Sequence, residues 1–339
     1  ACRLVTTGSP SPALPQLPPS RGAVRLVFYG TPALAVPALH RLAEEGRTPL
    51  LVVTRRDRPQ GRGLESAPSP VRAAAEARGI PVATPARSGA PEEVARIASL
   101  KPDLLVLAAY GQILSPGLLA IPRLGALNVH FSLLPRHRGA SPIQAAILAG
   151  DSETGVTTMW MTEGLDEGPT FASLRTPIGP EENAGQLTDR LAELGARCLS
   201  ETLARIDRGE MVRLPQDSER ATYAPKFGRE DTRLSLRESP LELTRRVRAF
   251  APKPGAYLEL QGEALQVLAA SPGARAGPGV PGQVLALDRA RGIELGLCQG
   301  SVWLERVRPS GRKEMPAFAY ANGARLTEGM RLPLEERPA

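Results

Sequence analysis

The chain has 339 residues, more than one small core needs, and domains of about 100–200 residues suggest two of them. A formal charge of +7 favours an anionic partner such as nucleic acid or phosphate, although 38 arginines beside 4 lysines are also what GC-rich coding gives. Cys2, Cys198 and Cys298 make neither a disulfide framework nor a metal-ligand spacing, and no run of 18 apolar residues is present, so the reading is a cytoplasmic protein without metal or membrane span.

Residues 1–22 are rich in proline and lack an apolar signal core, and read as a disordered tail or upstream extension. "VRLVFYG" (24–30) is a β-rich run ending in glycine. A helical stretch follows and closes at Gly46. "PLLVVT" (49–54), "DLLVLAAYG" (103–111), "GALNVHF" (125–131) and "GVTTMWM" (155–161) are further buried strands, with helices at "VRAAAEARG" and "EEVARIASL" between them. Short apolar strands alternating with helices indicate a parallel sheet covered on both faces, the Rossmann-like doubly wound class of α/β fold. A long amphipathic helix over 183–206 closes this domain. Beyond Gly209 the texture is polar and irregular to 238, then a short helix, then five strands separated by turn residues. Those strands suggest a small antiparallel β-barrel, OB-like in kind. The expected division is a 1–22 tail, a 23–208 catalytic domain, a 209–238 linker and a 239–335 barrel.

Two of the three histidines fall in "NVHFSLLPRHRGASPIQ" (128–144). Asn128 and His130 sit two apart on a strand, so both side chains share one face at its carboxyl end, where open α/β sheets bind ligands. A lone N-x-H also describes a satisfied core histidine beside a turn-capping Asn. The string that follows is more specific, because Pro135 and Gly139 shape a loop and Ser141 with Pro142 opens a helix. "MTEGLDEG" (161–168) then offers Asp166 in a loop after the strand at 155–161. An amide can donate to an oxyanion, an imidazole can carry a proton at neutral pH, and a carboxylate can orient that imidazole. Ser132 lies near His130, but no nucleophile elbow surrounds it.

N-x-H followed by S-L-L-P, with a downstream G-L-D, resembles the 10-formyltetrahydrofolate-dependent formyltransferases. "FYGTPALAVPAL", "TRRDRPQGRGLESAPSPV", "AAYGQILSPGLL", "TYAPKFGREDTRL" and "RAFAPKPGAYLEL" resemble the members of that family that act on methionyl-tRNA. The resemblance spans 24–332 and both domains.

It implies transfer of a formyl group from 10-formyltetrahydrofolate to the α-amine of initiator methionyl-tRNA, for translation initiation, by a monomer. Asn128, His130 and Asp166 would be catalytic: Asn128 donating to the formyl oxygen, His130 as imidazolium, Asp166 holding that charge and helping to remove protons from the amine. The folate would lie against Tyr110, Gly111, Gln112, Ile113 and Leu114, with Ser132, Leu133, Leu134, Pro135, Gly164 and Leu165. The loop 55–63, carrying Arg55, Arg56, Arg58 and Arg62, would reach the acceptor end of the tRNA. Lys226, Arg245 and Arg248 would add basic surface, with Arg246 and Lys253 as further candidates. Without the resemblance these arginines read as a solvated charged loop and helix face.

Glu167 and Pro169 stand where the family has Thr and Asp, and Lys253 where it commonly has Trp; His137, between two arginines, reads as surface. A formyltransferase of glycinamide ribonucleotide or of sugar nucleotides would share the trio but not need the 55–63 loop or the second domain in this form. A nucleotide-dependent oxidoreductase would need the glycine fingerprint that "YGTPALAVPAL" lacks. A noncatalytic RNA-binding protein would leave the trio without a purpose.

Overall fold

Residues 24–60, 65–260 and 262–333 are described by the structure, a computed structural model; the expected 1–22 tail and Arg62 lie outside them. Backbone proximity divides the chain into two units. The first reaches Pro142 and takes in Glu153–Pro177 and Thr188–Ala224; the second gathers Ile143–Ser152, Ile178–Leu187 and the chain from Pro225 onward. Residues 209–224 thus go with the first unit and 225–238 with the second.

In the first unit, β1 (Leu26–Gly30), β2 (Leu51–Val53), β3 (Val82–Ala83), β4 (Leu104–Ala108), β5 (Ala126–His130), β6 (Glu153–Trp160) and β7 (Thr170–Pro177) form one sheet in the order β3-β2-β1-β4-β5-β6-β7. The pairings from β3 to β5 are parallel. Every residue of β1, β2 and β4 is buried, which is why these segments read as unbroken apolar runs rather than alternating ones. The helices interleaved with these strands are α1 (Val36–Glu44), α2 (Pro70–Glu76), α3 (Pro91–Leu100) and α4 (Pro116–Leu119). The two-residue period sorts the sheet's faces. Val27, Tyr29, Val53, Leu105 and Leu107 share a core with Ile97 of α3 and Leu118 of α4.

The last two strands differ from the expected parallel arrangement. β6 runs antiparallel to β5, and β7 antiparallel to β6, the mixed edge that doubly wound sheets commonly carry. The pair changes where the following loop begins. Met161 N donates to Ala126 O at 2.8 Å, so the chain leaves β6 beside the start of β5 rather than beyond its carboxyl end.

α5 (Pro142–Ala149) and α6 (Ala184–Asp207) are the next two helices along the chain. Within the first unit α6 covers β5 so closely that a Cβ on Gly195 would meet Val129 Cγ1 at 3.3 Å and Phe131 Cε1 at 3.1 Å. Val129 and Phe131 therefore face this helix, while Asn128 and His130, one residue out of phase, face the other way.

The second unit holds α7 (Pro240–Phe250), β8 (Ala256–Leu260), β9 (Glu263–Pro272), β10 (Val284–Asp288), β11 (Gly292–Gly296), β12 (Ser301–Pro309), β13 (Met315–Pro316) and α8 (Ala317–Gly323). Its sheet runs β8-β9-β12-β11-β10 with β13 beside β12, antiparallel throughout, as the barrel-like reading requires. Leu243, Val247 and Phe250 of α7 pack into its core with Val267, Ile293, Leu295 and Val307. The helix starts on a capping box: Ser239 Oγ accepts from Glu242 N, and Glu242 accepts from Ser239 N.

Candidate functional site

Strand order reverses between β1 and β4, and ligands of open α/β sheets bind in the crevice outside the carboxyl ends at such a point. Two residues just past those ends are joined, Thr31 Oγ1 donating to Tyr110 O at 2.9 Å. The following turn is held from below: Gln112 Oε1 accepts from Ser88 N at 3.0 Å, and Ser88 Oγ donates to Ile113 O at 2.7 Å. These bonds leave the Ile113 side chain 86% exposed, an apolar group presented to solvent by a rigid loop.

Beside it, β5 ends in the Asn128 and His130 pair. The loop after β6 crosses the face those residues occupy and brings Asp166 to both. Asn128 Nδ2 donates to Asp166 Oδ1 at 3.4 Å, and His130 Nδ1 lies 3.5 Å from Asp166 Oδ2. Gly139 N donates to Asp166 Oδ2 at 2.8 Å, so the carboxylate is fixed by the backbone of the facing loop. The three residues singled out in the sequence are thus in one place, from positions 38 residues apart.

The His130 tautomer follows from its other nitrogen. Nε2 lies 2.9 Å from His137 O, and a carbonyl can only accept, so Nε2 carries a hydrogen. Nδ1 then turns to Asp166, an arrangement satisfied when one proton lies between imidazole and carboxylate. Burial pulls the His130 pKa below its ordinary value, and the Asp166 charge works against that shift.

His137 is not on the surface. It is buried, its backbone is left-handed with φ of 58°, and its N–H donates to Thr222 Oγ1 at 2.8 Å. The alternation of arginines around it suggested exposure, yet its carbonyl is the group that orients His130. Arg138 is also buried, 2% exposed.

The other expected site residues divide into those whose side chains are free to meet a ligand and those already engaged. Leu165, like Ile113, is exposed, and Gly111 is open on the same rim. Leu133, Leu134, Pro135 and Gly164 are half-buried. Tyr110 points into the core edge-on to Tyr29, where burial pushes its pKa up to about 12. Leu114 is core, and Ser132 Oγ donates to Arg136 O at 2.6 Å. These three shape the rim from within.

Of the arginine loop, Arg56 is exposed, whereas Arg55 is half-buried and lies beside the exposed Gly111, where a Cβ would meet its Nη1 at 3.4 Å. A short antiparallel pairing joins Arg58–Gln60 to Glu65–Ala67. Asp57 is held by Arg72 Nη1 at 2.6 Å. In the second unit Lys226 and Lys253 are exposed. Arg245 lies on Gly150, just past the end of α5, where a Cβ would collide with its guanidinium. Arg248 Nη1 donates to Glu182 O at 3.1 Å, and Arg246 pairs with Glu238 at 2.6 Å. Arg245, Arg246 and Arg248 thus tie α7 to segments of their own unit. Among the described residues no cluster of His, Cys, Asp and Glu could hold a metal, and no helix is long and apolar enough to cross a membrane.

A carboxamide, an imidazole and a carboxylate at the rim of an open α/β sheet form a site for moving an acyl group and a proton together. Residues 24–203 match the formyl transferase family, and residues 226–325 match the formyl transferase C-terminal domain. The chain is 44% identical over 307 residues to the methionyl-tRNA formyltransferase of Geobacter metallireducens, covering 91% of this chain and 98% of that protein. It is 48% identical over 311 residues to that of Halorhodospira halophila, with 91% and 98% covered. The chain belongs to the methionyl-tRNA formyltransferase family, and its chemistry is formyl transfer. Among solved structures, HypX from Aquifex aeolicus in complex with tetrahydrofolic acid superposes with a TM-score of 0.60 at 19% identity, over 94% of this chain and 49% of that one. An N-formyltransferase from Helicobacter canadensis gives 0.60 at 17% identity, over 83% and 98%. At these identities the likeness is one of fold.

Proposed function

We infer that the chain, a cytoplasmic monomer, transfers the formyl group of 10-formyltetrahydrofolate to the α-amino group of methionyl-initiator tRNA for translation initiation. The observation that carries the site assignment is the meeting of Asn128, His130 and Asp166 within 3.4 and 3.5 Å. Family membership over 91% of the chain supplies the substrates.

The residues fit a folate. Ile113 and Leu165 offer apolar faces to a flat ring, and the backbone of 110–114 is immobilised from beneath to present its polar groups. The folate carries the formyl group as an amide-like donor. Asn128 has a second amide hydrogen beyond the one given to Asp166, and donates it to the formyl oxygen as negative charge collects there. During transfer the amine's C–N bond forms, the donor's C–N bond breaks, and one proton passes from the first nitrogen to the second. His130 and Asp166 accept that proton between them and return it. Confining the proton to a buried pair keeps it from bulk water. Arg55, Arg56, Arg58 and Arg62, with Lys226, Arg245 and Arg248, bind tRNA in this reading. Arg56 and Lys226 are the members most free to do so, and Lys253, a further candidate, is exposed as well.

The direct test supplies labelled 10-formyltetrahydrofolate with charged initiator tRNA, uncharged tRNA or small amines. Label should move only to the charged tRNA, and transfer to a small amine at a comparable kcat/KM would overturn the assignment. Replacing Arg56 with Ala should reduce the salt dependence of the tRNA KM by about one unit of log-log slope. An unchanged slope would remove that residue from the interface.

A further inference from the structure

Asp166 itself adopts a left-handed backbone, φ of 51°, a region that residues with a Cβ seldom occupy, Asp and Asn less seldom than the rest. Something must hold it there, and the Asp166 carboxylate bonds alone do not fix the loop's backbone. We propose that Gln216, oriented by the buried Arg138, is a positioning residue that clamps the Asp166 loop in its working conformation; this rests on the role given to Asp166 above.

The Gln216 side-chain amide spans the loop. Nε2 donates to Asp166 O at 2.8 Å and to Gly168 O at 2.7 Å, using both of its hydrogens. Oε1 accepts from Arg138 Nε at 3.0 Å. An amide's nitrogen and oxygen are easily interchanged in a structure, but here the partners decide: an arginine only donates and a carbonyl only accepts. Gln216 therefore has one orientation, and Arg138 enforces it.

Both ends of the clamp are themselves fixed. Leu214, two residues before Gln216, pairs with Thr170 through Leu214 N to Thr170 O at 2.9 Å and Thr170 N to Leu214 O at 2.8 Å. Trp160 Nε1 donates to Val212 O at 2.8 Å, and the Arg213 guanidinium lies 4.4 Å over the Trp160 ring. At the other end Arg138 is adjacent to Gly139, whose N–H reaches Asp166 Oδ2, so one short segment grips the loop at side chain and backbone. Arg138 Nη1 lies 4.0 Å from Glu167 Oε2. Glu167 folds back over Gly164, where an added Cβ would collide with it. The residue that departs from the family pattern thus lies beside the buried cation. Without a clamp, Asp166 could relax toward ordinary backbone and withdraw its carboxylate from His130.

Three substitutions separate this role from packing. Gln216→Asn keeps the amide but is too short to reach both carbonyls. Gln216→Glu keeps the shape and can pair with Arg138, but has no hydrogen for the carbonyls. Gln216→Ala removes everything. Each should lower kcat about ten- to a hundredfold, the cost of misplacing a catalytic group by an ångström, with little change in KM for either substrate. The His130-dependent limb of the pH profile should move to lower pH, since Asp166 holds that pKa up. Independently of activity, hydrogen exchange at the Gly139 amide should quicken in Gln216→Asn and Gln216→Glu while the melting temperature stays near that of the parent. Full kcat with unchanged Gly139 protection in either variant would overturn the clamp. A parent protein that exchanges normally at Gly139 yet formylates no charged tRNA would instead overturn the function, leaving the clamp standing.

Discussion

Three non-glycine residues with left-handed backbone, Ala109, His137 and Asp166, lie at the rim of the first unit's sheet. The second unit's sheet makes its left-handed turns at glycines such as Gly255, Gly292 and Gly300. The two regions also differ in how polar groups are satisfied. At the rim, bonds connect distant segments: 132–139 with 222, and 166–168 with 216. In the second sheet they are mostly ladder bonds, and its buried carboxylate Glu294 is answered by Ser301 of the neighbouring strand at 2.7 Å. Strain held by nonlocal bonds is what a preorganised site looks like; local satisfaction around an apolar core is what a stable support looks like. If the contrast is real, substitutions should sort by region into those that change rate and those that change stability.

The largest effect belongs to the rim. Asn128→Ala or His130→Ala should lower kcat/KM by about two to four orders of magnitude while the protein melts near its usual temperature. A variant that lost stability in step with activity would dissolve the contrast. The opposite signature is expected from the second core, where Leu295 is fully buried. Leu295→Ala should cost about 2–4 kcal/mol of unfolding free energy, read from urea denaturation, with kcat at saturating tRNA unchanged below the transition.

Most strands of both sheets were legible because their apolar runs and bounding glycines follow directly from burial; the two-residue β3 and β13 are too short to show such a run. Asn128 and His130 were legible because a spacing of two forces a shared face. β7 was missed: in "TFASLRTP" only Phe171 and Leu174 are buried, so no unbroken run or strict alternation marks it. The antiparallel turn of β6 left no local trace, and with it went the path by which Asp166 crosses the sheet. Gln216 lies in a polar stretch without periodicity, and His137 between two arginines. Their importance comes from partners 50 and 7 residues away, which no window of sequence displays.

A pH series sharpens the comparison at smaller amplitude. The folded-state pKa of His130 is lowered by burial, so the folded protein binds fewer protons there than the unfolded chain. The stability this contributes is fully present above about pH 6.5 and is lost as pH falls toward the folded value. His130→Gln should therefore flatten the decline of unfolding free energy below about pH 6.5. A decline as steep as the parent's would mean that His130 titrates normally in the fold.

The smallest effect tests the second region's local character. Ser239→Ala removes one half of the capping box at α7, leaving the Glu242 N–H without its 3.3 Å acceptor. Loss of such a cap costs about 1 kcal/mol, because the exposed helix end can turn to water instead. That loss should appear in urea denaturation alone. α7 also carries Arg245, whose guanidinium packs against Gly150, and Arg248, which donates to the 179–182 turn of the same unit. If the helix merely frays at its first turn, Arg245 and Arg248 in its second and third turns keep their partners, and the tRNA KM holds. A rise in that KM with unchanged stability would place the start of α7 in the tRNA interface and make the second region a binding surface in its own right, rather than only a support.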